Sequence, residues 1–273
     1  MQQKAYLSRK GISPNQPMQL SLLFPDTIGE RGDIRQIPND FARASLFTGR
    51  NKREPRRSLM HQNLFSYDDG VVIQFTGTEL RAEDDEPVWM QILHYAKHVP
   101  FGAHIDFSIK DLVRDLGWHK NGRYYDKARE CISRLKASEV RALNSKAYGN
   151  TGAISLIHRY EIRNDGAGKP TDYRVWIHED LILLFAGNTF TSHAWLQYRA
   201  LSPIARRLAD YVESHKHPYP LPLDRFRRMC DSTNTSLFSW RRSVKSACDE
   251  IVQAGIVDQA HITETDLITC KKK

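Results

Sequence analysis

The sequence predicts an α+β fold with two tandem winged-helix domains, each a helix-turn-helix followed by a β-wing, and a flexible N-terminal arm. Three observations support this prediction. A series of three amphipathic helices occurs twice, the apolar period changes from 3.6 towards 2 after each third helix, and glycine and proline are dense near the N-terminus. The predicted boundaries are 1–35 for the arm, 36–80 for a basic segment with a β-hairpin, and 81–185 and 190–273 for the two domains.

Residues that break regular structure are frequent in the predicted arm. They are Gly11, Pro14, Pro17, Pro25, Gly29 and Gly32. In the next segment, Asp69-Gly70 stands between two β-prone stretches, 63–67 and 71–75, and this pattern predicts a hairpin. A basic run precedes the hairpin, with charges at Arg50, Lys52, Arg53, Arg56 and Arg57.

The first helix of each unit is predicted to begin with a proline in its first turn, which is a favoured position. One begins at Glu86-Pro87 and its counterpart, about 115 residues later, at Ser202-Pro203. Apolar residues then follow at helical spacing. They are Val88, Ile92, Tyr95 and Ala96 in the first unit, and Ile204, Leu208, Tyr211 and Val212 in the second.

The second and third helices repeat in the same order. The second helices carry Phe107, Ile109, Leu112 and Leu116, matched by Leu221, Leu223, Phe226 and Cys230. The third helices carry Ala128, Ile132 and Leu135, matched by Val244, Cys248 and Ile251. Strands are then predicted at 139–143, 154–162 and 173–177, and at 256–257 and 267–270 in the second unit.

The composition fits a folded protein with a polyanionic partner. Of 273 residues, 40% are hydrophobic and 26% are charged, an ordinary balance for a globular chain. The net charge of +8 and the pI of about 9.3 favour nucleic acid or an acidic membrane surface as a partner. The sequence has no apolar stretch of about 18 residues and no signal-peptide pattern, so we expect a cytoplasmic protein that does not span a membrane.

The cysteines and the acidic run argue against a metal site. Cys131, Cys230, Cys248 and Cys270 are widely spaced and lack C-x-x-C or zinc-finger patterns. We therefore expect reduced thiols and no cofactor. The acidic run Glu83–Glu86 directly precedes a predicted helix, where carboxylates stabilise the helix dipole, and this role is preferred to metal binding.

The third helices are the predicted DNA-reading elements, because a helix-turn-helix places this helix in the major groove with its N-terminal residues nearest the bases. The contact residues predicted in the first unit are Asn121, Arg123, Tyr124, Lys127 and Arg134. Those predicted in the second are Thr233, Asn234, Thr235, Ser239, Arg241, Arg242, Lys245 and Ser246.

Each of these residue types has a matching role on DNA. An arginine side chain can form two hydrogen bonds with guanine, and an asparagine side chain can do so with adenine. Lys127 and Arg134 are instead expected on the outer face of their helix, where they bind phosphates. The basic run at 50–57 is expected to add backbone contacts. For any single residue the alternative is a solvated surface, but two helices placed alike favour DNA binding.

One apolar island interrupts the arm. Its order, Gln19-Leu20-Ser21-Leu22-Leu23-Phe24, resembles the Q-L-x-L-x-F peptide by which bacterial proteins bind the sliding clamp of DNA polymerase. The predicted clamp-binding residues are Gln19, Leu20, Leu22, Leu23 and Phe24. The alternative is a strand that packs on the core of the protein itself.

Several longer stretches together form a specific sequence pattern. They include MQLSL from Met18, TGTELRA from Thr76, DLGW from Asp115 and NGRYY from Asn121. Further stretches are Pro38–Asp40, Ala44–Thr48, Arg50–Lys52, Leu201–Pro203, Ala205–Arg207, Ser214–His215 and Pro218–Leu221. In these stretches the chain resembles the TrfA family, the replication initiators of broad-host-range IncP-type plasmids, and the resemblance runs from about residue 18 to the C-terminus.

This resemblance implies a function. Members of the family bind direct repeats, called iterons, at the plasmid origin and help to open adjacent A+T-rich DNA. They assist loading of the host helicase together with the host initiator DnaA, and they exchange between a homodimer and an active monomer. Single-stranded origin DNA is a further expected ligand. The resemblance assigns clamp binding to Gln19, Leu20, Leu22 and Phe24, although the family pattern Q-L-S-L-F lacks the extra Leu found here.

Enzymatic interpretations have weaker support. The chain has no G-x-x-x-x-G-K-[ST] loop, which argues against an ATPase. A nicking initiator would use Tyr124-Tyr125 with His215-Lys216-His217, but the residue between the histidines is charged instead of apolar. A non-enzymatic origin-binding protein is therefore the preferred prediction. A winged-helix transcriptional repressor without replication partners remains the alternative.

Overall fold

The computed structural model describes residues 33–97, 99, 102–144, 149–164, 168, 170–178, 180–181, 184–185 and 189–272. The predicted clamp peptide at 19–24 lies outside these residues. Within them the chain forms both helices and strands, so the predicted mixed helix and strand content is confirmed. None of the described helices combines the length and apolar character needed to cross a bilayer.

The elements follow in this order: β1 (Ile34–Pro38), α1 (Asn39–Ala42), β2 (Phe47–Thr48), β3 (Ser58–Asn63), β4 (Val71–Thr78), β5 (Leu80–Arg81), α2 (Asp85–Ala96), β6 (Ile105–Ser108), α3 (Ile109–Asp115), α4 (Gly122–Ala137), β7 (Glu139–Asn144), β8 (Gly149–Ile154), β9 (Arg159–Asn164), β10 (Pro170–Trp176), β11 (Phe190–Ala194), α5 (Trp195–Ala200), α6 (Pro203–Glu213), β12 (Leu221–Pro222), α7 (Leu223–Met229), α8 (Leu237–Gln253), β13 (Gln259–Ile262) and β14 (Leu267–Lys271).

The two first helices start at capped residues. Ser202 caps α6 by accepting a hydrogen bond from the backbone N–H of Ala205, and Pro203 is the first helical residue. Asp84 accepts from the N–H of Asp85 at the start of α2. Both caps satisfy donors that would otherwise lack a partner within the helix.

A short strand precedes the second helix of each unit. β6 pairs with β10, where Phe107 faces Tyr173, and β12 pairs with β14, where Leu221 faces Ile268. The prediction that Phe107 and Leu221 belong to the second helices is therefore wrong, because their backbones pair with the last strand of each unit. The helices α3 and α7 begin two residues later.

The strand predicted at 154–162 is also wrong. β8 ends at Ile154 and belongs to a four-stranded sheet in the order β3-β4-β7-β8, whereas β9 begins at Arg159 and belongs to the sheet β6-β10-β9. Between them the chain runs through the core, with Leu156 and Ile157 fully buried. The Leu156 carbonyl accepts a hydrogen bond from the indole of Trp89 at 3.1 Å. The strand prediction failed because the buried apolar residues of this connection continue the apolar pattern of β8, although they are not in a strand.

The predicted hairpin is present with a shifted first strand. β3 pairs with β4 over residues 58–63 instead of 63–67. Residues after β3 pair elsewhere, since Ser66 forms a bridge with Ala44 and the Phe65 carbonyl accepts from the N–H of Ser45. Gly70 has a φ of 86° in the connection, a conformation that glycine adopts without strain.

Segments from all parts of the described chain share one core. β1 pairs with β11, and β4 pairs with β7 over six residues. Ile34 and Arg35 therefore lie in a strand and not in a flexible arm, and the predicted boundary after residue 80 separates paired strands of one sheet. Apolar residues from Ile37 to Ile268 form one continuous buried cluster.

A buried arginine joins three of these segments. Arg207 on α6 lies 3.0 Å from Glu86 and 2.7 Å from Asp210, and it donates to the carbonyls of Ala42 and Ala44. All three charged side chains are fully buried. This network holds α6 against both α2 and the residues after α1.

Candidate nucleic-acid interface

Helix α4 presents one apolar face and one polar face. Ala128, Ile132 and Leu135 are fully buried, as the helical period predicts. Asn121 caps the helix, because its side-chain oxygen accepts from the N–H of Tyr124 at 3.2 Å. Arg123 follows the cap and is exposed. The N-terminal end of α4 therefore offers a solvent-facing guanidinium next to a fixed polar cap.

Two other predicted contact residues on α4 are held by carboxylates. Lys127 lies 3.2 Å from Glu83 and 5.0 Å from the ring centroid of Trp118. Arg134 lies 3.0 Å from Asp85, and its side chain is only 15% exposed. The prediction that Arg134 lies on the outer face is wrong, because a buried carboxylate from α2 holds its guanidinium inward.

The acidic run before α2 forms the centre of this ion-pair cluster. Asp84 and Asp85 both pair with Arg56, each at 2.7 Å. Burial alone would raise the pKa of Asp84, but the charges of Arg56 and Lys127 hold it below its ordinary value. Burial and the charge of Asp84 raise the pKa of Asp85 to about 6, against the opposing effect of Arg134.

The same carboxylates lie close to a thiol without forming a convincing metal site. Possible ligand atoms of Asp84, Asp85 and Cys131 lie within 4.8 Å of one another. Burial raises the pKa of the Cys131 thiol well above its ordinary value, so the thiolate that metals prefer is disfavoured. Both carboxylates already neutralise arginines. The cluster fits an ion-pair role better than metal binding.

The basic run at 50–57 divides into two groups. Arg50 pairs with Glu54 and Glu79, and Arg57 also pairs with Glu79, whose side chain is fully buried. Arg56 belongs to the cluster around Asp84. Of the five charges expected to contact DNA, Arg50 and Arg56 are mostly covered, and Arg57 is 40% exposed but paired with Glu79. Lys52 and Arg53 are instead exposed in the loop between β2 and β3.

Helix α8 repeats the arrangement of α4 in the second unit. Val244, Cys248 and Ile251 are buried. The cap is Ser236, which accepts a hydrogen bond from the N–H of Ser239, so the helix begins at Leu237. The predicted contact residues that are exposed on this helix are Arg242, Lys245 and Ser246. Arg241 pairs with Asp266 in the turn between β13 and β14.

The polar turn before α8 is partly engaged within the protein. Asn234 donates to the Ser239 hydroxyl at 3.0 Å, so two predicted contact residues bond to each other. Thr233 donates to Glu54 at 3.0 Å, and Thr235 is exposed. The pairing of Thr233 with Glu54 brings this turn against the loop that carries Lys52.

The two candidate helices flank that loop. One cleft is lined by Lys52 and Arg53 together with Arg123 and Tyr124 from the start of α4. A second cleft is lined by Lys52 again, together with Asn234 and Ser243 from the second unit. The ends of α4 and α8 therefore lie on either side of one exposed cationic loop.

Two exposed apolar residues at the start of α8 were not among the predicted contact residues. Leu237 is 53% exposed and Phe238 is 79% exposed. The available signal was the helical period, since the inward face set by Val244 and Ile251 turns Phe238 away from the core.

One residue considered for strand nicking, His215, makes contacts within the fold. His215 packs its ring 4.5 Å from that of Tyr211, and its Nδ1 lies 2.7 Å from the Tyr211 carbonyl oxygen. Burial lowers the pKa of His215. Within the part of the chain that the structure describes, the group of possible metal ligands contains neither His215 nor His217.

Comparisons with known proteins identify relatives. The family model described as TrfA protein matches residues 2–272. The plasmid replication initiator protein TrfA of Escherichia coli is 45% identical over 259 residues, which cover 93% of this chain and 65% of that protein. This chain thus spans slightly less than two thirds of the length of that relative.

Two solved structures share the fold. A crystal structure of domains 2 and 3 of RctB has a TM-score of 0.57 and 12% identity, covering 87% of this chain and 99% of that one. Another structure of RctB domains 2–3 has a TM-score of 0.53 and 11% identity, covering 84% of this chain and 94% of that one. At this identity the likeness concerns the fold alone.

Proposed function

Because this chain belongs to the TrfA family, we propose that it is a plasmid replication initiator that binds repeated sites at its origin through two winged-helix units. In this proposal α4 and α8 are the recognition helices, and the chain acts by binding and not by catalysis. The Escherichia coli relative is described as a plasmid replication initiator protein.

The order of elements supports two winged-helix units. In each unit a first helix is followed by a short strand, a second helix and a third helix. An antiparallel strand pair completes each unit: β13 and β14 follow α8 directly, whereas in the first unit β7 and β8 of the four-stranded sheet come between α4 and the pair β9 and β10. The short strand pairs with the last strand of that pair in both units. This is the arrangement in which a third helix is presented to the major groove. The proposed extents of the two helical units are residues 81–185 and 190–273, and the first unit shares its four-stranded sheet with β3 and β4 of the preceding segment.

The observation that carries the proposal is the position of Lys52 between the two helix ends. Arg123 and Arg242 are exposed on α4 and α8, where base contacts are expected. Lys52, Arg53 and Lys245 are exposed cations suited to phosphates. A single duplex crossing the loop would meet both helices, and phosphate contacts would make its binding strongly dependent on salt.

Further steps of initiation follow from the family. We include in the proposal the opening of A+T-rich DNA, the recruitment of the host helicase and DnaA, and exchange between a homodimer and an active monomer. Deformation of the bound DNA would contribute to opening. Clamp binding is assigned to Gln19, Leu20, Leu22, Leu23 and Phe24, outside the described residues.

Footprinting on the plasmid that encodes this chain tests the proposal. We expect direct repeats to be protected at regular intervals, and a double Arg123→Ala, Arg242→Ala variant to lose this protection while remaining folded. Replication of a plasmid carrying only the protected region, with the chain supplied separately, should depend on the chain. Protection of a single operator whose deletion leaves replication intact would favour a transcriptional repressor instead.

A further inference from the structure

Phe238 occupies an unusual position for a large aromatic side chain. It is the second residue of α8 and is 79% exposed. Its neighbour Leu237, the first residue, is 53% exposed. Burying a side chain of this kind is favourable, so its exposure forgoes a gain in stability.

The helical geometry fixes the direction of Phe238. At about 100° for each residue, Phe238 lies about 180° from Ala247 and about 200° from Trp240, and both of those side chains are buried. Arg242 and Lys245 follow Phe238 by four and seven residues and are exposed on the same face. The aromatic ring therefore projects from the end of a cationic helix face.

The residues around Phe238 indicate which kind of partner this side chain could contact. A protein-docking patch is commonly a contiguous apolar area, but the exposed residues near this ring include Thr235, Arg242 and Lys245. A partner that is polyanionic and also presents isolated apolar groups fits this mixture. The major groove of DNA has both properties, because each thymine exposes a 5-methyl group between flanking phosphates.

We propose that Phe238 is a specificity-determining residue that recognises thymine, through contact of its ring with the 5-methyl group in the major groove. Leu237 lies beside it at the helix start and widens the apolar contact. This inference rests on the proposed function, since it requires that the N-terminal end of α8 enter the groove. It adds a base preference that hydrogen bonding by Arg242 does not supply.

The experiment uses the 273-residue chain and synthetic duplexes carrying one repeat that the wild-type chain protects on its own plasmid. Each thymine of the repeat is replaced in turn by deoxyuridine, which removes the methyl group and keeps base pairing. For the wild-type chain we expect about fourfold weaker binding at one or two positions, the cost of leaving one methyl group unburied. The Phe238→Ala variant should bind the thymine and deoxyuridine duplexes equally.

A matched control is Val72→Ala, which truncates another exposed apolar side chain, 45% exposed, in the four-stranded sheet. It should keep the wild-type preference for thymine. A Phe238→Leu variant should keep part of this preference, and circular dichroism verifies that each variant is folded.

If Phe238→Ala prefers thymine as strongly as the wild type does, or if the wild-type chain shows no preference, the inference is wrong while repeat binding stands. A chain that binds no repeat would overturn the proposed function together with the inference.

Discussion

The guanidinium of Arg207 lies 3.0 Å from the carboxylate of Glu86, and neither side chain is exposed to solvent. Glu86 belongs to the first helix of one unit and Arg207 to the first helix of the other. Burial and the charge of Asp210 raise the pKa of Glu86 to about 8, and Arg207 opposes this shift. The contact between the two units therefore depends on a guanidinium that compensates two buried acidic groups.

Replacing this arginine should destabilise the whole described fold. We expect Arg207→Met to lower the free energy of unfolding by about 3–5 kcal/mol, because Glu86 and Asp210 lose the buried guanidinium that they share. Urea denaturation measures the change. The control is Arg227→Ala, which removes an exposed pair with Asp224 and should cost less than about 1 kcal/mol. Equal losses for the two variants would contradict this role of Arg207.

The stability of the protein should also depend on His193. This buried side chain lies 3.0 Å from Asp210 and 2.5 Å from Glu213. Burial lowers its pKa, but Glu213 and Asp210 raise it more, to about 10. Because the folded pKa exceeds the unfolded value of 6.5, the stabilisation is complete below pH 6.5 and is lost as the pH rises through about 10.

Comparison with a His193→Gln variant isolates this effect. Between pH 6.5 and about 10 the stability advantage of the wild type over the variant should fall by about 1.4 kcal/mol for each pH unit. Urea denaturation at several pH values supplies the measurement. A constant difference across this range would show that His193 is not held in its charged form.

The loop between the two helix ends should contribute non-specific affinity. Lys52→Ala with Arg53→Ala removes two phosphate contacts, so the slope of log K against log salt should become shallower by about 1.8. Binding should weaken similarly on repeat and unrelated DNA. Arg141→Ala is the control, since Arg141 has a half-exposed side chain in the four-stranded sheet. An unchanged slope for the double variant would place the loop away from the DNA.

The exposed arginines of α4 and α8 should contribute specificity. Either Arg123→Ala or Arg242→Ala is expected to weaken binding to the cognate repeat by roughly 1–3 kcal/mol if the arginine reads a base. Titrations on repeat and scrambled duplexes distinguish the two types of contact. Equal losses on both duplexes would assign that arginine to the phosphate backbone.

The arm should matter for replication and not for repeat binding. We expect a Leu20→Ala, Phe24→Ala variant to lose binding to purified sliding clamp, because two apolar anchors of the peptide are removed. A Ser21→Ala variant should retain clamp binding. Surface plasmon resonance measures both. Unchanged clamp binding, together with intact plasmid replication, would overturn the assignment of residues 19–24.

Local sequence signals predicted those parts of the fold that depend on neighbouring residues. Ser202-Pro203 indicated the start of α6, and the structure has that cap. The spacing of Val244 and Ile251 identified the buried face of α8. Pairing between distant segments was harder to predict. Phe107 lies in β6 because its backbone pairs with β10, whose residues are about 65 positions away, and the apolar period gives no sign of that partner.

The candidate site shows the same limit. Periodicity placed Arg123 and Arg242 on exposed faces, and both are exposed. The same periodicity wrongly predicted an outward-facing Arg134. A long side chain can turn towards a carboxylate, here that of Asp85, which is 49 residues away in the sequence. Three arginines of the basic run, Arg50, Arg56 and Arg57, likewise pair with carboxylates that are distant in the sequence, at Glu79, Asp84 and Asp85. Charge alone did not distinguish structural arginines from those facing solvent.

The continuous core beneath α4 and α8 has a consequence for the DNA sequence itself. Two domains joined by a flexible linker can adjust to different spacings between their half-sites. Two helices that pack on one shared core keep a constant separation. Each added base pair moves one half-site by about 3.4 Å and rotates it by about 35° around the duplex axis. The spacing and the rotational position of the two halves of a repeat would then be retained as strictly as their base sequence. An inserted base pair between the halves would weaken binding as much as a base substitution.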